Sequence, residues 1–364
     1  MKYYLLAGET SGDQHAAGLI SAIRKLDPQA SFRGMGGDAC LKEGMELFLH
    51  LREQNYMGFA EIIKHLPRIL RQIKAVCQDI ERFQPDVVVP VDYPGFNFRV
   101  MKWAAKQGFR VDYFLPQQVW PWHSSRVHSL RKYCRQVLVI FPFEVDFYTS
   151  YKVEVQYVGN PLLDRPELKE MPHKQINEPV KLVLLPGSRT KEVEKVLPIM
   201  LQSLEGLPEL KAEIAGMSHL EESLYQKYLS QHPNLQVKLS MDKSSELLQQ
   251  ADIAWVTSGT ATLETALLGV PQVVCYRAGA LSVAIARRLI QVPWISLVNL
   301  LLQQTAIPEL IQQDLNPKRL CLETQQLLRP KGRNKQLEHY KKLRELLGAA
   351  GCSEKAARSI VGKG

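Results

Sequence analysis

A chain of 364 residues, 45% apolar and 23% charged, has the composition of a soluble globular protein and the length for about two domains. No stretch approaches the ~18 uninterrupted apolar residues of a transmembrane helix, and 22 Gly with 21 Pro are too few for low complexity. The 46 Lys and Arg against 37 Asp and Glu leave a net charge of +9. That balance suits nucleic acid, an anionic membrane surface or a phosphorylated substrate, and suits a merely basic enzyme equally well.

The opening MKYYLLAGE turns polar after a short apolar run, so no secretory signal is expected and the chain reads as cytoplasmic. The six scattered cysteines hold no Cys-x-x-Cys pair, which fits reduced thiols rather than zinc ligands or disulfides. In chain order, residues 2–7 predict a buried strand and 11–26 an amphipathic helix. Residues 87–91, almost wholly apolar and β-branched, predict a central parallel strand. A helix at 96–107, a strand at 109–114, a helix at 125–133 and strands at 137–141 and 153–158 follow.

The polar stretch around 164–178, with two prolines, reads as a linker. Beyond it the alternation starts again. Strands are expected at 180–185, 212–216, 236–239, 252–256 and 272–276, and helices at 191–204, 220–230, 244–250, 260–268 and 280–290. Residues 317–361 read as a charged helical tail. Two βαβ series imply two doubly wound α/β domains, with the ligand in a cleft between them beyond the carboxyl ends of the strands. The boundaries fall at 1–165, 166–179 for the linker, 180–340, and 341–364 for the tail.

Several loops carry chemistry. Gly8-Glu9-Thr10-Ser11-Gly12-Asp13 and Gly34-Met35-Gly36-Gly37 each read as a ligand loop or as a plain tight turn. Asp92 closes the strand VVVPV, where a carboxylate could serve as general base or cap the next helix. Pro186-Gly187-Ser188-Arg189, with Glu192 one turn on, reads as a phosphate site at a helix N-terminus, or as an Arg189–Glu192 surface pair. Ser258-Gly259-Thr260-Ala261-Thr262-Leu263-Glu264 repeats that pattern, with Glu264 placed to accept from ribose hydroxyls. Two anion-ready loops in one domain point to a nucleotide diphosphate. No D-x-D, H-x-x-x-H or H-E-x-x-H pattern occurs, so no metal and no cofactor are expected. Met57, Phe59, Ile62, Ile63, Leu66, Ile69 and Leu70, interleaved with Lys64, Arg68, Arg71 and Lys74, read as a basic amphipathic membrane surface or as a core-facing helix, with Pro67 interrupting it.

Taken together the motifs resemble the lipid-A-disaccharide synthase family. The matches are AGETSGD (7–13), YMGFAEI (56–62), PDVVVPVDYPGFN (85–97), VWPW (119–122) with Arg126, FPFE (141–144), VGNPL (158–162), 185–189 with Glu192, 258–264, and PEL (308–310). The resemblance implies an α/β fold of GT-B architecture, with two Rossmann-like domains facing a central cleft. It implies an inverting, metal-independent transfer from UDP-2,3-diacylglucosamine to 2,3-diacylglucosamine 1-phosphate (lipid X). The product is a β-1,6-linked disaccharide phosphate plus UDP. Asp92 then matches the base for the acceptor 6-hydroxyl. Ser188, Arg189, Glu192, Ser258, Gly259, Thr260, Ala261, Thr262, Glu264 and Asn299 match the UDP-sugar side, with Glu9 and Ser11 facing the same cleft and Arg189 helping the leaving group. The 57–70 segment becomes an acyl-chain dock on an anionic inner leaflet, with the enzyme peripheral to the membrane. A homodimer through the tail stays open, and no nucleic-acid motif occurs. The sequence departs from the common family forms at Gly95 (PDFN), Asn160 (His-Pro) and Val298 (Leu-Pro-Asn). A UDP-N-acetylglucosamine 2-epimerase and a non-catalytic lipid- or nucleotide-binding protein are the rival readings.

Overall fold

The computed structural model describes residues 1–54, 66–116, 124–168, 170–171, 178–278 and 293–362. The chain divides into two compact units, Met1–Asp164 with Ala349–Gly364, and Arg165–Gly348.

The first unit is built on seven parallel strands: β1 (Lys2–Ala7), β2 (Ser31–Gly36), β3 (Glu46–His50), β4 (Val87–Val91), β5 (Asp112–Phe114), β6 (Gln136–Val139) and β7 (Val155–Tyr157). Their order is β3-β2-β1-β4-β5-β6-β7, so the order reverses between β1 and β4. Leu5 pairs with Val89 and Ala7 with Val91, which brings the two strands to end level. Side chains alternate across the sheet. Tyr3, Leu5, Ala7, Val87, Val89 and Val91 pack against helix α1 (Thr10–Leu26). Tyr4, Leu6 and Val88 pack on the other face against residues of α3 (Leu66–Phe83), α4 (Pro94–Lys106), α5 (Ser124–Tyr133) and α6 (Phe143–Ser150).

Strands β2 and β3 went unread in the sequence because Gly34 and Gly36 look like a turn. Gly34 is a strand residue with φ 147°, and a Cβ there would sit 2.0 Å from the carbonyl oxygen of Leu5. The glycine permits close approach to β1. The following turn is filled from inside: buried Asp13 accepts from the N–H groups of Gly37 (2.6 Å), Ala39 (3.0 Å) and Cys40 (3.2 Å) at the start of α2 (Asp38–Lys42). Pro67 does not break the described helix but lies in its first turn, where a missing N–H is harmless.

The second unit repeats the design with β8 (Lys181–Leu185), β9 (Lys211–Gly216), β10 (Val237–Met241), β11 (Ile253–Thr257), β12 (Gln272–Tyr276) and β13 (Glu309–Ile311), ordered β10-β9-β8-β11-β12-β13. The reversal lies between β8 and β11, where Leu185 pairs with Val256. Helices α7 (Thr190–Leu204), α8 (Glu222–Leu229), α9 (Ser244–Gln250), α10 (Thr260–Leu267), α11 (Leu297–Leu302), α12 (Pro317–Leu328) and α13 (Pro330–Leu347) complete it. The helix expected at 280–290 lies outside the described residues.

The tail expected at 341–364 is not one element. Helix α13 belongs to the second unit, and α14 (Cys352–Val361) packs in the first. Cys352, Ala356, Ala357 and Ile360 are buried beside α1. Asp164 accepts from the N–H groups of Gly351, Cys352 and Ser353, closing the start of α14. Arg110 holds the carbonyl of Ile360 at 2.6 Å, and Arg135 that of Ser359 at 3.0 Å. Both guanidinium groups rest on the wholly buried carboxylate of Asp112.

Candidate active site

In the first unit the turns after β1 and β4 leave the sheet side by side, and Asp92 is the first residue past β4. It takes φ 51° and Tyr93 takes φ 45°, two successive left-handed residues without glycine. The bend folds the Tyr93 ring over Gly8, where a Cβ would lie 2.0 Å from the ring. Glycine at position 8 makes that overlap possible. Asp92 lies against the start of α1, its Cβ 3.8 Å from where a Cβ of Gly12 would stand. One carboxylate oxygen, Oδ1, is buried with no hydrogen-bond partner among the described residues. Burial, then the negative charge of Glu9, push the Asp92 carboxyl up to about 6, against a smaller opposing effect from the Tyr93 N–H. A carboxylate poised there can take a proton near neutral pH. A Cβ at Gly95 would meet nothing within 4 Å among the described residues. Glu9 and Ser11 are exposed at the opening of α1, and Glu9 is its N-cap.

In the second unit the turns after β8 and β11 bring the two glycine loops together. Gly187 has φ 122°, and a Cβ there would fall 2.6 Å from that of Glu192. Glu192 reaches back to accept from the Ser188 N–H at 3.1 Å, one residue before the Arg189 N-cap of α7. Its other oxygen lies 3.3 Å from Arg189 Nη1. The Arg189–Glu192 pair therefore forms, but Arg189 is 79% exposed, and so weak a pair leaves it able to turn toward an anion. His219, which sequence reasoning passed over, places Nε2 2.7 Å from the Ser188 carbonyl oxygen and so steadies this loop.

On the facing loop, Gly259 has φ 149°, and both it and Thr260 are exposed. Ser258 and Ala261 are half-buried, and the Ser258 hydroxyl donates to Ile295 O at 2.9 Å. Glu264 forms an ion pair with Arg165, its buried Oε1 lying 3.1 Å from Arg165 Nη1.

Two residues expected on the UDP-sugar side have their side chains engaged within the unit. Thr262 is fully buried and gives its hydroxyl to Gly259 O. Asn299 is fully buried too: its Nδ2 donates to Ile307 O and Glu309, and its Oδ1 accepts from the N–H groups of Ala306 and Ile307. An amide so engaged has nothing left for a ligand. Glu309, seen in the sequence only as part of PEL, also accepts from the N–H groups of Ile295 and Ser296. It thus secures the segment to which Ser258 is tied.

Of the apolar surface expected at 57–70, Met57, Phe59, Ile62, Ile63 and the side chain of Leu66 lie outside the described residues. Ile69 is no surface residue. It is buried in the core with Val76 and Ile80, because α3 turns that stripe inward. Leu70 is 47% exposed, and Arg68, Arg71 and Lys74 are exposed around it. No helix among the described residues is long and apolar enough to cross a membrane. Among the same residues no group of three or more His, Cys, Asp or Glu could hold a metal ion.

The model of the family described as Lipid-A-disaccharide synthetase matches residues 3–361. A lipid-A-disaccharide synthase of Nitrosococcus oceani is 35% identical over 356 residues, 95% of this chain and 92% of that protein. Among solved structures, the glycotransferase of kitacinnamycin matches with a TM-score of 0.67 at 14% identity, covering all of this chain and 98% of the other. The UDP-GlcNAc 2-epimerase of Neisseria meningitidis, bound to UDP-GlcNAc, matches with 0.63 at 13% identity over 100% and 99%. At such identities these structures share the fold alone, the GT-B pairing of two Rossmann-like domains.

Proposed function

The chain belongs to the lipid-A-disaccharide synthase family, and we propose that its donor is UDP-2,3-diacylglucosamine and its acceptor 2,3-diacylglucosamine 1-phosphate. It is a glycosyltransferase of lipid A biosynthesis. The observation that carries the chemistry is Asp92, a carboxylate at the carboxyl end of a central strand with its pKa lifted to about 6 by burial and by Glu9. Asp92 takes the proton of the acceptor 6-hydroxyl as that oxygen attacks C1 of the donor. The bond from C1 to the UDP oxygen breaks on the opposite face, so the configuration inverts and a β-1,6 link forms. UDP leaves with the electron pair. Arg189, the Ser188 hydroxyl and the N–H groups opening α7 and α10 take up the diphosphate charge. Glu264, one turn into α10 and held by Arg165, suits the ribose hydroxyls. No metal ion enters this reading, so chelation with EDTA should leave the rate unchanged.

Leu70, exposed on α3 with Arg68, Arg71 and Lys74, supports a peripheral seat on an anionic inner leaflet, where the acyl chains of both substrates lie. The test is the product formed from donor labelled with ¹³C at C1. A β-linked disaccharide 1-phosphate is expected. An α-linked product, or UDP release without a disaccharide, would refute the proposal.

A further inference from the structure

The Asp92 carbonyl is held more tightly than a turn residue requires. Asn97, one turn into α4 and wholly buried, points its side-chain nitrogen at three carbonyl oxygens: Asp92 at 2.8 Å, Leu6 at 2.9 Å and Val91 at 3.2 Å. Leu6 belongs to β1 and Val91 to β4, so one amide joins the ends of the two strands that part at the reversal point. Tyr113, wholly buried on β5, donates its hydroxyl to the same Asp92 oxygen at 2.8 Å. On the other side of the residue, the Asp92 N–H reaches Phe114 O at 3.3 Å. Two elements, α4 and β5, thus grip one residue on both its peptide groups, at the place where two consecutive residues hold a backbone conformation that L side chains disfavour. Backbone strain of this kind persists only where surrounding groups over-determine it.

We propose that Asn97 and Tyr113 are positioning residues for the transfer. By fixing the Asp92 carbonyl they set the left-handed bend and so aim the carboxylate at the start of α1. The inference rests on Asp92 acting as the base. Neither side chain touches substrate: both are buried behind the peptide they hold.

The test compares four purified variants: Tyr113→Phe, Asn97→Ala, Tyr148→Phe and Asp92→Asn. Each is assayed for kcat, for KM of both substrates, for UDP binding and for melting temperature. Tyr113→Phe keeps the ring and its packing, so it folds even if Asn97→Ala does not. Its kcat should fall about 10- to 100-fold, as small misplacements of a reacting group do, with both KM values and UDP affinity unchanged. Tyr148 is the matched control. It lies in the same core, and its buried hydroxyl has no hydrogen-bond partner among the described groups. Tyr148→Phe should keep the wild-type kcat. A wild-type kcat in Tyr113→Phe, or equal losses in the two phenylalanine variants, would overturn the positioning role. Wild-type turnover by Asp92→Asn is a different result. It would remove the base, and the positioning inference with it.

Discussion

Replacing Ile360 with alanine should loosen the first unit, although Ile360 lies at the far end of the chain from β1. The side chain is fully buried in the cluster that contains Leu5, Ala16 and Ile20. The clamps on α14 survive the change, because Asp164, Arg110 and Arg135 all bind its backbone. The helix therefore stays docked, and the loss is that of the apolar group and the cavity left behind, about 2–4 kcal/mol. At 1.4 kcal/mol per tenfold, amides of β1, β4 and α1 that exchange through unfolding of this unit should exchange roughly 30- to 700-fold faster. Hydrogen–deuterium exchange read by peptide mass measures this directly. Leu343→Ala, equally buried on α13, should speed exchange in the second unit instead. Unchanged exchange at β1 and α1 in Ile360→Ala, or faster exchange only at β8 and β11, would refute the assignment of α14 to the first unit's core.

Other expectations follow from single groups. With Asp92 titrating near 6, kcat/KM should rise with pH through that value as the base loses its proton, and Glu9→Gln should move this limb to lower pH by removing a neighbouring negative charge. Burial pushes the Glu144 carboxyl up to about 8, so between about 4.5 and 8 the folded state holds a proton that the unfolded chain has released. Stability should therefore fall as pH rises across that window, and Glu144→Gln, which can still accept from the Phe141 N–H, should flatten the decline in urea melts at several pH values. Asn299→Ala should destabilise the protein by about 2–4 kcal/mol by orphaning buried partners, yet leave UDP affinity of the folded fraction intact by calorimetry. A large selective loss of UDP affinity would return Asn299 to the ligand shell.

The parts legible in the sequence were those where one local rule acts alone. Residues 2–7, 87–91 and 272–276 are apolar runs that only a buried strand accommodates, and their elements fall where expected. Asp92, Ser188 and Ser258 stand just past the ends of β4, β8 and β11, where the alternation of strands and helices places them. The rest depended on partners distant in the chain. Gly34 looks like a turn until Leu5 stands behind it. Helix α14 looks like a loose tail until Asp164, Arg110 and Arg135 meet its two ends. Thr262 and Asn299 carry polar groups in a ligand-like motif, and only burial reveals that those groups are already used. Asn97 was visible within DYPGFN, but nothing local shows that one amide serves three carbonyls.

Base catalysis by Asp92 would couple deprotonation of lipid X to the sugar transfer. Its most direct test is UDP release from UDP-2,3-diacylglucosamine in detergent, with and without lipid X, for the wild type and Asp92→Asn side by side. Release should depend on the acceptor in the wild type and be lost in Asp92→Asn while UDP still binds. Wild-type release rates in Asp92→Asn, or no acceptor-dependent release by a folded, UDP-binding wild type, would contradict it.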